Sequence, residues 1–244
     1  MSSASHHSRL TPWTRLVAVS AVVVVGGLGL LAAFAIASQH QRIVTYPVRG
    51  SVDGLALDLG DADVVIARGG RRPAVQIDRT EQYTFGHHAV TEKRVSGGVF
   101  TLRSRCPQTV LHSCSVSYRV IVPDNVPIDV RTGSGSVRLE GYRGSAKLAT
   151  GSGDVTIADF CGFALQARAQ SGTIAANVPC ALQQLSLRST SGSVRVTVPP
   201  GRYRLDAETA AGQRTVRGVT DATDAPFSLQ ALSSSGDVKV EGRS

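Results

Sequence analysis

Three groups of acidic residues stand where they could do chemistry, and each would do a different kind. Asp58, Asp61 and Asp63 fall in one short stretch, Asp-Leu-Gly-Asp-Ala-Asp. Such a density suits a calcium loop when the oxygens converge. Here the stretch reads as a strand end turning into the next strand, so alternate side chains point apart. Asp154 and Asp237 hold equivalent places in a repeated phrase. Four repeats at strand spacing put them roughly 20 Å apart, beyond the ~5–10 Å a glycosidase pair needs. Glu140, Asp159, Arg143 and Lys147 would lie on neighbouring turns of a coil, like the acids and base of a β-helix polysaccharide lyase. Surface charge explains them better. No Gly-x-Ser-x-Gly with a partner histidine, no phosphate-binding loop and no dinucleotide fingerprint occurs. The chain is therefore read as non-enzymatic and without a cofactor.

The phrase that carries Asp154 and Asp237 returns through the second half of the chain. It reads Thr132-Gly-Ser-Gly-Ser-Val137, Thr150-Gly-Ser-Gly-Asp-Val155, Gln170-Ser-Gly-Thr-Ile174, Thr190-Ser-Gly-Ser-Val194 and Ser234-Ser-Gly-Asp-Val238, with a weaker copy at Ala210-Ala-Gly212. Its glycines at Gly135, Gly153, Gly172, Gly192, Gly212 and Gly236 are 18, 19, 20, 20 and 24 residues apart. A fixed period of this length marks a repeat architecture in which stacked units share one core. Apolar residues alternate on both sides of each glycine, as in Leu165/Ala167 before Gly172 and Val194/Val196/Val198 after Gly192. Each repeat thus predicts two short strands around a corner. The glycine is expected to supply positive φ at that corner, with Ser, Thr or Asp capping the turn. Residues 136, 154, 173, 193 and 237 should then stack in a row. The identical turn chemistry favours a parallel β-solenoid over a β-sandwich, and the crossover rule makes it right-handed.

The four cysteines agree with stacking. Cys161 and Cys180 each follow a repeat glycine by eight residues. Equivalent residues of adjacent parallel strands sit ~4.8 Å apart, within reach of a disulfide. Cys106 and Cys114 flank seven residues and should staple a loop. His87, His88 and His112 are the nearby metal-ligand candidates, but no C-x-x-C spacing accompanies them. No metal site is expected.

Leu16 to Ala37 is 22 residues without a charge, long enough as a helix to span a bilayer. Arg9, Trp13 and Arg15 on its N-terminal side orient residues 1–15 toward the cytoplasm. The segment is read as a signal anchor in the cell membrane. Cleavage after Ala35-Ile-Ala37 is the alternative, and a core of this length argues against it. Gly29, Ala33 and Ala37 form a small-residue stripe that would allow a homodimer. The remaining chain is then extracytoplasmic, in keeping with paired cysteines.

The chain has 26 basic and 18 acidic residues, a net charge of +8, with a pI of about 9.9. Nucleic acid is not expected as a partner, because no basic run is interleaved with aromatics and aromatics make up 5% of the chain. Residues 38–51 read as a tether. Residues 52–127 read as an N-terminal β region, with a polar stretch at 79–95 taken as a long loop or irregular strand pair. Residues 128–244 hold the repeats. Lys239, Glu241 and Arg243 in the final repeat would guard an exposed strand edge, or that edge would pair with another copy.

The repeats, the Val122-Pro-Asp-Asn-Val-Pro127 entry and the Val198-Pro-Pro-Gly-Arg-Tyr-Arg-Leu-Asp206 segment resemble the bacterial "putative adhesin" family of β-strand-repeat domains of unknown function. The resemblance covers about 52–242; Ala210-Ala-Gly-Gln213 departs from the pattern. It implies an all-β solenoid with an N-terminal β portion, displayed outside the membrane. It implies no reaction and no agreed ligand, and links the chain to envelope-stress systems. Two readings follow. One is a binding, adhesion or scaffold module for an anionic cell-wall polymer, with contacts among Arg131, Arg138, Arg143, Lys147, Arg168, Arg188, Arg195 and Arg217. The other is an envelope-stress sensor or accessory that binds a membrane protein. A β-helix carbohydrate-active enzyme is the third alternative.

Overall fold

The computed structural model describes residues 20–29, 39–48, 50, 52–71, 74–84, 88–107 and 114–243. They fall into two compact units, Met1–His40 and Gln41–Ser244. In the first, residues 20–29 form a helix with exposed side chains. The rest of the expected membrane segment 16–37 lies outside the described residues. No helix among the described residues is long and apolar enough to cross a membrane.

The second unit is built from twenty strands in two ten-stranded sheets. Strand β1 (Gln39–Pro47) falls in the segment expected as a tether, and it forms one edge of the first sheet. Two-strand coils follow, one strand in each sheet. They are β2 (Gly54–Asp58) with β3 (Asp63–Gly70), and, beyond β4 (Gln76–Thr84) and β5 (Val90–Ser96), β6 (Val99–Arg105) with β7 (Cys114–Pro123). Next come β8 (Ile128–Thr132) with β9 (Val137–Glu140), β10 (Ser145–Thr150) with β11 (Val155–Ala158), and β12 (Ala164–Ala169) with β13 (Ile174–Asn177). The series closes with β14 (Gln184–Ser189) and β15 (Val194–Val198), β16 (Gly201–Thr209) and β17 (Arg214–Arg217), the short β18 (Val219–Asp221), and β19 (Ser228–Ser233) with β20 (Val238–Gly242). Pairing is parallel from coil to coil, and antiparallel where β4 joins β7 and β5 joins β6.

The same two sheets run through residues 52–127 and the repeats, because β2 pairs with β8 and β3 with β9. Of the polar stretch 79–95, residues 79–84 lie in β4 and 90–95 in β5, two strands that pair with other strands and not with each other. Its weak alternation has a physical cause: at this end the inward side chains are polar. Glu81 is fully buried and is held by Arg79 at 2.5 Å, and Arg79 also donates to Thr91 Oγ1 at 2.5 Å.

Elsewhere the interior consists of straight apolar columns. Val64, Val137, Val155, Ile174, Val194 and Val238 line one in register, each at most 1% exposed. Leu57, Val130, Leu148, Ala167, Leu187 and Ala231 line another from the facing sheet. Each fully buried Val or Leu contributes ~1.5–3 kcal/mol. A single coil buries only about four such side chains, so stability comes from the stack.

Chain order and spatial order differ at both ends. Coil β2/β3 lies between coils β6/β7 and β8/β9, although it precedes both in sequence. Coil β19/β20 lies between β14/β15 and β16/β17, although it follows both. The last repeat is therefore internal, which corrects the expectation of an exposed edge carrying Lys239, Glu241 and Arg243. The capping coil is β16/β17, the copy with the divergent Ala210-Ala-Gly phrase. Having one neighbouring coil in place of two, it escapes the constraint that keeps the others regular. Asp154 and Asp237 are consequently three strand steps apart, roughly 14 Å.

The corner glycines also act differently from expectation. Gly135, Gly153, Gly172, Gly192 and Gly236 do not have positive φ. They stack. A Cβ on Gly153 would lie 2.0 Å from Gly135 O, one on Gly172 1.8 Å from Gly153 O, and one on Gly192 2.0 Å from Gly172 O. Close backbone approach excludes a side chain there. Gly212, with φ of 159°, stacks in the same way on Gly236.

Two side-chain ladders lock the corner. Thr150 Oγ1 accepts from Gly153 N–H at 3.0 Å and donates to Gly135 O at 3.0 Å. Ser189 and Ser233 repeat the arrangement two and three coils further on. Ala169 occupies this position in coil β12/β13 and breaks the ladder. The expected row at 136, 154, 173, 193 and 237 forms the second ladder: Asp154 accepts from Thr173 N–H at 2.8 Å, and Ser193 from Asp237 N–H at 3.2 Å.

Both expected disulfides are present. Cys161–Cys180 joins successive coils with Cα atoms 5.2 Å apart, and Cys106–Cys114 closes its loop at 5.7 Å.

Candidate functional site

Parallel strands in register place side chains from different repeats side by side, so the outer faces can be read strand by strand. The eight candidate cations do not form one ladder. Arg131, Lys147, Arg168 and Arg188 lie on the outer face of the second sheet, on β8, β10, β12 and β14. Arg138, Arg195 and Arg217 lie on the opposite face, on β9, β15 and β17. Arg143 is in the β9–β10 connection, exposed.

Over the N-terminal part of the second sheet, charges alternate across the strands. Glu92 stands opposite Arg103, Arg103 beside Asp58, and Asp58 beside Arg131. Arg131 also bonds Asp129 at 3.2 Å, and Lys147 is the register partner of that aspartate. Cross-strand pairs of opposite charge stabilise a sheet and leave little net field. Arg168 and Arg188 are direct register neighbours further along. They line an open groove of about 610 Å³ with Thr190, Glu208, Leu232 and Ser234. Within it Arg188 donates to Gln230 Oε1 at 2.5 and 3.0 Å.

A group of positive charges also lies on the first sheet, where coil β19/β20 is inserted. Lys239 on β20 is the register partner of Arg195 on β15, and Glu241 is that of Arg217 on β17. Glu241 bonds Lys239 at 2.8 Å and Arg243 at 3.0 Å. Three cations, Lys239, Arg243 and Arg217, thus act on one carboxylate, and Arg195 stands beside Lys239. The Lys239 ammonium bonded to Glu241, followed by the Arg243 and Arg217 guanidinium groups, holds that carboxyl below its ordinary value. Glu241 remains charged and neutralises only part of the field. Lys239 and Arg243 were legible in the sequence as charges. Their membership of this cluster depends on the insertion of β20, which adjacency in sequence does not show.

The acidic groups are dispersed. Asp61 accepts from Ser134 Oγ at 2.8 Å and Asp63 from Ser136 N–H at 2.7 Å, while Asp58 is on the outer face of the second sheet, 3.8 Å from Arg105. Among the described residues no group of three or more His, Cys, Asp and Glu could hold a metal ion. His87 and His112 lie outside the described residues. His88 is 3.9 Å from Glu81.

The geometry defines a two-sheet parallel β-solenoid with ordered charged faces. Residues 126–241 match the model of the family described as Toastrack DUF4097. The two coils β2/β3 and β6/β7 extend the same sheets on the N-terminal side of the matched region. Among solved structures, a "putative cell adhesion protein" from Clostridium sporogenes aligns at 8% identity and a TM-score of 0.48, over 84% of this chain and all of that one. A "putative adhesin" from Bacteroides fragilis aligns at 9% identity and a TM-score of 0.41, over 83% of this chain and 97% of that one. One from Parabacteroides merdae aligns at 12% identity and a TM-score of 0.34, over 83% and 96%. No curated protein matches the chain.

Proposed function

We propose that residues 39–244 form a non-enzymatic binding module for an anionic polymer of the cell envelope, held outside the membrane by the apolar segment Leu16–Ala37. The coil is right-handed on the crossover rule. The observation that supports this reading is the group of Lys239, Arg217 and Arg243 around Glu241, with Arg195 beside Lys239, on the first sheet. Rigid strands hold these cations at the strand spacing, so they need little ordering when a polymer with regularly spaced anions lies across them. Groups of like charge on a surface also raise the local concentration of an oppositely charged ligand, an effect that salt screens.

The test is calorimetric titration of the 39–244 fragment, which contains the compact unit from Gln41 and keeps β1 whole, with polyphosphate and with an acidic polysaccharide at several salt concentrations. Binding should weaken as salt rises. Replacing Arg195, Lys239, Arg217 and Arg243 by Gln together should reduce affinity by at least tenfold. Unchanged affinity in that variant would remove this face from the account.

A further inference from the structure

The position of coil β19/β20 carries a consequence for association. Its strands bond on both sides: β19 to β14 and β16, β20 to β15 and β17. Leu229, Ala231, Val238 and Val240 are at most 1% exposed. Gly236 packs on Gly192 O, and Ser233 bonds both that carbonyl and Gly236 N–H. The strands β14 to β17 and the Gly192 carbonyl that seat the coil all precede it in sequence. A chain made from its N-terminus presents two facing pairs of strand edges before residues 228–242 exist. Coil β2/β3 at the other end is the reverse case, since it is made before either neighbour and they close around it.

We propose that residues 228–242 form a transferable coil, and that the slot between β14/β15 and β16/β17 accepts the same coil from a second copy of this chain. Every contact that seats the coil is made by strand edges and corner carbonyls identical in the two copies. The exchanged state therefore repeats the register of the closed one and leaves no edge open. The link that must change course is short. Residues 222–227 hold three backbone hydrogen bonds, Ala222 N–H to Tyr203 O, Ala225 N–H to Ala222 O and Arg204 N–H to Phe227 O; Ala225 is buried in it and Phe227 is partly buried against the core. Asp224 makes only an exposed ion pair with Arg202. Reciprocal exchange through such a hinge is a low-cost route to a dimer. The closed chain competes through the high effective concentration of its own coil, so exchange should grow with the density of copies.

Ser186 and Gln230 give the direct test. They are register partners on β14 and β19, and Ser186 Oγ lies 2.9 Å from Gln230 Oε1. Two differently tagged full-length chains, one Ser186→Cys and one Gln230→Cys, are co-expressed and resolved on a non-reducing gel. A single chain carrying both substitutions reports whether the pair closes. A disulfide-linked heterodimer is expected. Closure within the double variant, with no heterodimer from the co-expressed chains, would overturn the proposal. A second readout needs no engineered bond. The unsubstituted chain, refolded from urea with its disulfides intact at rising concentration, should give a dimer fraction that rises with concentration and persists on dilution. Monomer alone across the series would equally overturn it.

Discussion

Replacing Gly172 by Ala tests what the repeated glycine does. The residue does not have positive φ, so alanine meets no backbone strain of its own there. The added Cβ would lie 1.8 Å from Gly153 O, where ordinary contact begins at about 3.4 Å. Coils β10/β11 and β12/β13 would have to separate locally by about 1.6 Å, a third of the ~4.8 Å strand spacing. Three of the bonds that span that corner are Gln170 N–H to Thr150 O at 3.1 Å, Ser171 N–H to Gly151 O at 2.9 Å, and Thr173 N–H to Asp154 Oδ1 at 2.8 Å. At ~1 kcal/mol each, with ~1–3 kcal/mol of overpacking, the loss is about 4–6 kcal/mol. For a unit of this size each kcal/mol lowers Tm by ~2–4 °C, so the midpoint should fall by roughly 10–20 °C. Gly201→Ala is the control. Its φ is not positive and the nearest atom is 3.8 Å away, so it should be neutral or stabilise by ~0.4–1 kcal/mol through the unfolded chain. Urea and thermal unfolding of the 39–244 fragment, followed by circular dichroism, measure both. If Gly172→Ala matched the wild type to within about 0.5 kcal/mol, close stacking would not be the reason for the glycine.

Ala169→Ser should complete the corner ladder, bonding Gly172 N–H and Gly153 O, and should raise stability by ~0.5–1.5 kcal/mol in the same urea titration. Replacing Cys161 and Cys180 together by Ser removes a cross-link of sequence separation 19; the expected loss is ~3 kcal/mol. Hydrogen exchange should rise most in coil β12/β13, which the bond encloses and whose Ala167, Ala169 and Ala176 leave the smallest core. Asp124 is held below its ordinary value mainly by its hydrogen bond from Arg68. A depressed folded-state pKa gives stability that is present above the unfolded value, ~3.9, and is lost as pH falls through the folded one. Unfolding midpoints should therefore drop below about pH 4, and Asp124→Asn should flatten part of that slope.

The repeats and the disulfides could be read early because each depends on local spacing. Eight residues from glycine to cysteine in two consecutive repeats was enough to place Cys161 beside Cys180. The apolar columns likewise follow from alternation within each strand. Coil order could not be read in the same way. The phrase at Ser234 stacks on that at Thr190, and the divergent Ala210 phrase caps the end, because pairing energy depends on which edges match rather than on which are adjacent in sequence. The proposed binding face inherits this. Arg195 and Arg217 were identifiable as candidates, whereas Lys239 and Arg243 join them only once β20 lies between β15 and β17. At the other end, β4 and β5 were obscured by inward Arg79, Glu81 and Thr91, which resemble a surface pattern until their mutual bonds are seen.

The most direct test of the proposed function is equilibrium binding of the 39–244 fragment to isolated anionic envelope polymer across a salt series, beside the variant with Arg195, Lys239, Arg217 and Arg243 replaced by Gln. The account predicts saturable binding that falls with salt and is at least tenfold weaker in the variant. No saturable binding of the unsubstituted fragment at low salt would contradict it.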